Sequence, residues 1–242
     1  MTILEEVKVF IKNISLFLFL FLGFSLSFFL FPLDNPITLQ IFQKIKSDLL
    51  PSGVELIVTN PLTAFVFEIE LSMLLAFVIL FPFFLYKIIS YLKPALFSHE
   101  KKLLLQSLIP SSLLFFIGCL FSYYYVIPTT FEVLYPYAIH LGVIPFFSLA
   151  EFTSSVFSLM TITGIMFLLP IFMAILSFLG IIKSDFWKSH FRHAFLLFLV
   201  FTAIITPDGT GITMFLLFVP LIMLYFFGYL LTKKFDKSKI NM

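Results

Sequence analysis

Residues 193–232 read HAFLLFLVFTAIITPDGTGITMFLLFVPLIMLYFFGYLLT, forty residues whose only charge is Asp208. Two apolar runs flank the turn Thr206-Pro207-Asp208-Gly209-Thr210-Gly211, and Pro and Gly at that density break a helix. A hydrocarbon core of about 30 Å is crossed by roughly 20 apolar residues in helical form. The stretch therefore predicts two membrane-crossing helices joined as a hairpin with its tip at Asp208. The first arm, Ala194 to Pro207, has 14 residues and rises only about 21 Å, so the hairpin thins the bilayer locally or stops short of full depth.

Outward from the hairpin, the same pattern recurs. Ile14 to Leu33, Leu71 to Tyr86, Leu103 to Phe131 and Phe152 to Ile182 are each free of charge. Six crossings follow, over about 13–33, 69–90, 103–127, 152–182, 194–207 and 211–232, in one all-α membrane domain covering 1–242. Composition agrees: of 242 residues 61% are hydrophobic and 12% charged, against roughly 45–50% and 25% in soluble domains. A mean hydropathy of +1.12 leaves too little charge to solvate a globule, which excludes a soluble enzyme, a disordered chain and a nucleic-acid binder. Cys119 is the one cysteine, so no internal disulfide or cysteine-cluster metal site is expected.

Basic residues set the orientation. Lys8 and Lys12 precede the first crossing. Lys87, Lys93, Lys101 and Lys102 lie between the second and third, Lys183, Lys188 and Arg192 between the fourth and fifth, and Lys233, Lys234, Lys237 and Lys239 after the sixth. Only Lys44 and Lys46 fall on the other side, so both termini are expected in the cytoplasm. The loop from Pro128 to Glu151 holds no Lys or Arg. Glu5 and Glu6 in place of a basic run, and no small-x-small pattern near Phe31-Pro32-Leu33, argue that the first crossing is not a cleaved leader. Residues 37–50 gather Ile37, Ile41, Phe42, Ile45 and Leu49 on one helical face, which predicts an amphipathic surface helix on the outer side. Val54 to Thr59 reads as an extended connector, and Asn60-Pro61 opens the next helix. Pro82, Pro110, Pro128, Pro170 and Pro220 fall inside or at the ends of crossings.

The polar residues exclude most chemistry. No HExxH, Gly-rich phosphate loop or GxSxG occurs, so no catalytic residue, metal site or cofactor is expected, and the chain reads as no enzyme. Intramembrane charge, the usual mark of an ion-coupled carrier, is almost absent. Glu68 and Glu70 sit at the outer end of the second crossing. On the cytoplasmic side two acids stand out: Glu6, on the flank of an amphipathic N-terminal face, and Glu100, ahead of Lys101-Lys102. Each can also be read as an ordinary solvated acid, Glu100 as a first-turn acid favoured by the helix macrodipole.

The run Pro82-x3-Tyr86-Lys87-x3-Tyr91-x2-Pro94-Ala95-Leu96-x2-His99-Glu100-Lys101-Lys102 resembles the signature of TatC, the multi-spanning subunit of the twin-arginine (Sec-independent) protein translocase, which reads P-x3-YQ-x-W-x-F-x2-PAL-x3-E-[KR]-[KR]. Further matches are collinear from about residue 4 to 228. They include Asn60-Pro61-Leu62-Thr63-Ala64-Phe65, Ser111-Ser112-x-Leu114-Phe115-x2-Gly118-x2-Phe121-x-Tyr123 with Pro128, Gly164-x2-Phe167-x2-Pro170, and Thr206-Pro207-Asp208. Six crossings with both termini inside is also the family topology.

The resemblance implies a receptor for twin-arginine signal peptides of folded precursors, exported with energy from the proton gradient. It implies TatA- and TatB-type single-span partners, assembly into a homo-oligomer, and a bacterial plasma membrane, or alternatively a thylakoid or mitochondrial inner membrane. Glu6 and Glu100 align with the carboxylates that receive the two arginines; guanidinium binds carboxylate bidentately. Tyr91 occupies an aromatic position near them, able to stack on a guanidinium, and Lys8 stands where arginine is usual. Pro61, Phe65, Pro94, Pro128, Pro170 and Asp208 take structural or assembly positions. Departures are Leu168 and Phe226 where many members are acidic, Glu70 where many have lysine, and a TPD turn one proline shorter than usual. These point to retained recognition with more hydrophobic partner docking, or to a minimal system. Two competing readings are a small-solute channel or permease, which predicts further charges along the crossings, and a purely structural assembly scaffold.

Overall fold

The computed structural model describes residues 3–31, 37–50, 55–58, 60–92, 98–140, 142, 146–206 and 211–240. Ten α-helices and two short strands follow in order: α1 Ile3–Leu30, α2 Ile37–Leu49, β1 Glu55–Ile57, α3 Pro61–Leu92, α4 Ser98–Phe121, a π-helical turn Ser122–Val126, α5 Ile127–His140, β2 Phe146–Ser148, α6 Leu149–Met166, α7 Leu169–Phe178, α8 Ser184–Ser189, α9 Phe191–Ile205 and α10 Ile212–Ile240. Strands β1 and β2 pair as a two-stranded sheet. Four stretches are long and apolar enough to cross a membrane: Pro61–Tyr91, Lys101–Tyr137, Leu149–Phe178 and Ile212–Lys234. Two shorter apolar helices, Ile14–Leu30 and Phe191–Ile205, fall where the remaining two crossings are expected. Large apolar side chains stay uncovered, Phe19 at 75% and Ile204 at 78% exposure among them. Such a surface has a favourable solvent only in hydrocarbon.

The chain divides into two compact units: Met1–Asp48, Leu56–Ser112 and Phe147–Phe157 in the first, and Leu49–Glu55, Leu113–Phe146 and Ser158–Met242 in the second. In the first unit α1 packs along α3. Phe17 meets Phe84 with ring centroids 5.0 Å apart, Ser25 lies 3.2 Å from Ser72, and Phe29 meets Phe65 at 5.9 Å. Rising numbers on α1 pair with falling numbers on α3, so the helices are antiparallel. The Ser72 hydroxyl donates to the Ile69 carbonyl at 2.8 Å, which leaves Ser25 as the donor to Ser72. Helix α2 sets its apolar face on α3 and α6: Phe42 meets Phe67 at 4.6 Å, and Phe42, Ile45, Phe67, Leu71 and Phe152 enclose one small void. Helix α3 starts where Asn60-Pro61 places it. Asn60 Oδ1 accepts from Leu62 N at 3.0 Å, an N-cap with Pro in the first helical position.

In the second unit α4 crosses α6 at Gly118 and Gly164. A Cβ on Gly118 would lie 2.9 Å from the Gly164 Cα and 2.9 Å from the Thr163 carbonyl oxygen. Small residues at such a crossing let backbones approach and supply the van der Waals contact that associates helices in lipid. The hairpin forms as its pattern indicates: α9 and α10 meet through Phe195–Phe218 at 4.9 Å and Phe191–Tyr225 at 5.8 Å. The tip at Asp208 lies outside the described residues. Gly228 of α10 sits against α7, where a Cβ would meet the Met173 sulfur at 2.7 Å.

Two boundaries differ from the charge-based reading. Residues from Pro128 onward, taken as loop, continue as α5 to His140. Proline lacks an N–H and crowds the carbonyl four residues back; the chain here widens into the π-turn, whose Ile127 N–H reaches the Ser122 carbonyl, and helix resumes. The fourth crossing is not one run to Ile182. It breaks at Phe167–Leu168, just before Pro170, and α7 ends at Phe178. There Gly180 takes φ +77° and the Ile181 N–H bonds the Leu176 carbonyl at 3.0 Å, a left-handed cap that stops the helix.

Candidate functional site: one end of the first unit

The candidate recognition residues belong to the first unit. Glu6 and Lys8 lie in the first turns of α1, Tyr91 in the last turn of α3 and Glu100 in the first turn of α4. The side chains of Glu6, Lys8 and Glu100, and Pro94 as a whole, lie outside what the structure describes. Backbone geometry still relates the helices. Glu6 is eleven residues before Phe17 and Tyr91 seven after Phe84, so from that ring contact they stand about 16 and 10 Å along the same direction. Helix α4 begins six residues after α3 ends, a length of chain reaching at most about 21 Å and too short to recross a core of about 30 Å. Glu6, Tyr91 and Glu100 thus sit toward one end of this unit.

That end is otherwise basic and aromatic. Tyr91 is half-buried, Lys102 is exposed, and the Lys87 ammonium stands 5.2 Å from the Phe83 ring centroid, within cation–π range. At the opposite end of α3, Pro61 and Phe65 are exposed. Near them a cavity of about 410 Å³ collects Asn60, Thr63, Glu70, Glu151 and Ser154.

Two of the expected structural or assembly positions, Pro128 and Pro170, lie in the second unit. Pro170 is buried in the first turn of α7, its Cα 3.0 Å from where a Cβ on Gly228 would lie. Pro128 is half-buried in the first turn of α5. A polar link that the sequence reading missed ties three helices together. The Tyr225 hydroxyl donates to the Trp187 carbonyl at 2.7 Å, and Trp187 Nε1 donates to Ser177 Oγ at 3.2 Å. The lone Trp was the available signal, but partners 38 residues apart share no local pattern. Among the described residues no group of three His, Cys, Asp or Glu could hold a metal.

The family model for the Sec-independent protein translocase protein TatC matches residues 3–220. The chain belongs to the TatC family. It is 32% identical over 212 residues to the Sec-independent protein translocase protein TatC of Cenarchaeum symbiosum, covering 86% of this chain and 80% of that one. To the TatC of Aquifex aeolicus it is 33% identical over 201 residues, 80% of this chain and 83% of the relative. A crystal structure of the twin arginine translocase receptor TatC superposes with a TM-score of 0.78 at 28% identity, covering 96% of this chain and 99% of that chain. The protein is thus a multi-pass membrane subunit of a Sec-independent translocase and not an enzyme.

For a TatC chain, the two apolar departures have visible settings. Leu168 falls in the break between α6 and α7 and lines an apolar cleft with Phe172 and Leu197. Phe226 is 58% exposed on α10. The cleft at Leu168 is lined by apolar side chains alone, and Phe226 lies 6.4 Å, centroid to centroid, from the Tyr229 ring.

Proposed function

We propose that this TatC chain is the receptor for twin-arginine signal peptides, with Glu6 and Glu100 each receiving one guanidinium. The observation that carries the reading is the antiparallel packing of α1 on α3 with the short α3–α4 connection, which brings both acids toward one end of one unit. Charge-assisted contacts to a carboxylate are worth roughly 1.5–3 kcal/mol, and the guanidinium fork is what a lysine cannot supply. Tyr91 stacks on the bound arginine, and Lys8 stands where the family usually has arginine after the first glutamate. In precursor pull-down, Glu6→Ala and Glu100→Ala each weaken capture by about tenfold or more; unchanged capture by both variants refutes the assignment.

The basic residues orient the chain with this end in the cytoplasm, in a bacterial plasma membrane, and 1–242 functions as one membrane domain. Pro61, Phe65, Pro94, Pro128, Pro170 and Asp208 shape and assemble that domain. No Asp, Glu, Lys, Arg or His is among the buried residues of the described part of the chain, so a carboxylate or imidazole proton relay has no buried member there. Proton-gradient energy therefore enters through assembly with TatA- and TatB-type single-span subunits and further copies of TatC.

A further inference from the structure

An apolar cleft of about 570 Å³ opens on the second unit. Leu168 and Phe172 form one wall, Leu197 and Phe201 of α9 the other, and buried Met166 and Leu221 the floor. Phe172, Leu197 and Phe201 are exposed, so the cleft is open sideways to hydrocarbon, and no ionisable side chain lines it. On α9, His193, Leu197 and Phe201 follow at intervals of four and share a face. Leu197 and Phe201 lie about 6 and 12 Å beyond His193, within the roughly 15 Å depth of one leaflet.

The chain between α7 and α9 has the opposite chemistry. Lys183, Lys188, His190, Arg192 and His193 are all exposed, and Asp185 is the one acid between Leu179 and His193. No carboxylate among the described residues is paired with Lys183, Lys188 or Arg192. Trp187 lies in the same connector, a residue type that favours the headgroup level. The Trp187 bonds to Ser177 and from Tyr225 hold this connector against α7 and α10.

We propose that cleft and connector together bind one anionic glycerophospholipid from the leaflet on that side. One acyl chain fills the cleft, and the phosphate and anionic headgroup rest against Lys183, Lys188 and Arg192, with His193 at the boundary. The charge is what selects this occupant. A zwitterionic lipid, whose phosphate is balanced by its own cation, or an apolar transmembrane segment could use the cleft, but either leaves the net positive charge of the connector, three basic residues against Asp185, uncompensated. The inference does not depend on signal-peptide recognition, because it uses none of Glu6, Tyr91 or Glu100.

Two measurements test it on the full chain. The first is native mass spectrometry of protein taken from vesicles of phosphatidylcholine with a minor fraction of phosphatidylglycerol. Phosphatidylglycerol is retained in excess of its bulk share, and the triple variant Lys183→Ala, Lys188→Ala, Arg192→Ala lowers that retention at least about tenfold. Leu197→Trp, which fills the cleft, lowers it as well. Retention in bulk proportion, an undiminished triple variant, or loss in the triple variant but not in Leu197→Trp each overturns the proposal. The second needs no substitution: Trp187 is the one tryptophan, so its fluorescence reports the site. Acyl-spin-labelled phosphatidylglycerol quenches Trp187 more strongly than equally labelled phosphatidylcholine at the same mole fraction; equal quenching overturns it.

Discussion

Gly118 and Gly164 show how much of this fold rests on single atoms. A methyl group on Gly164 would stand 2.7 Å from the Phe115 ring and 2.9 Å from the Cys119 sulfur, closer than real contacts allow. Overpacking of this kind costs about 1–3 kcal/mol. Gly23 meets nothing within 4 Å. Gly164→Ala and Gly118→Ala should therefore lower the midpoint of thermal unfolding in detergent, while Gly23→Ala leaves it unchanged or raises it. The Tyr225 hydroxyl makes a comparable point. Tyr225→Phe removes the donor to the Trp187 carbonyl, worth about 0.6–1.7 kcal/mol in a membrane protein. A shift in Trp187 emission together with a modest loss of stability is expected. No shift in emission would mean that the bond does not hold α8 in place.

At the scale of elements, the charge-free windows made the number of crossings legible, because lipid excludes charge from their middles. They did not fix the ends. Helix α3 begins at Pro61, ten residues before its charge-free window at Leu71, since half-buried Glu68 and Glu70 are tolerated near the membrane surface. The Asn60-Pro61 start signal located that end where charge counting could not. Asn60→Ala removes the cap and costs about 1 kcal/mol, seen as faster amide exchange in residues 62–64, whereas Leu62→Ala leaves exchange there nearly unchanged. Proline misled in the other direction. Pro128 was read as the close of a crossing, yet a π-turn ahead of it lets α5 continue. The Gly118–Gly164 crossing and the Trp187–Tyr225–Ser177 link were invisible, because each joins residues far apart in sequence.

For the whole molecule, scarcity of charge is the organising fact. No acidic or basic side chain is buried among the described residues, and the cleft at Leu168 is lined by apolar side chains. A chain of this kind is suited to recognition and assembly, and poorly suited to moving ions by itself. Reconstituted alone in liposomes, it should pass neither protons nor small solutes above the background of empty vesicles; a specific flux would favour the permease reading. Recognition of the family was legible because Pro94 to Lys102 is specific and the other matches are collinear. The proposal that Glu6 and Glu100 act together rests on the antiparallel contacts of α1 and α3.

The most direct test of that pairing couples the two sides of the contact. Capture of a precursor is measured with its Arg-Arg pair or a Lys-Lys substitute, against the native chain and against Glu6→Gln with Glu100→Gln. For the native chain the arginine pair should be preferred by about tenfold or more, and the double variant should lose most of that preference along with affinity. A double variant that still prefers arginine by the full native factor would contradict the assignment of Glu6 and Glu100.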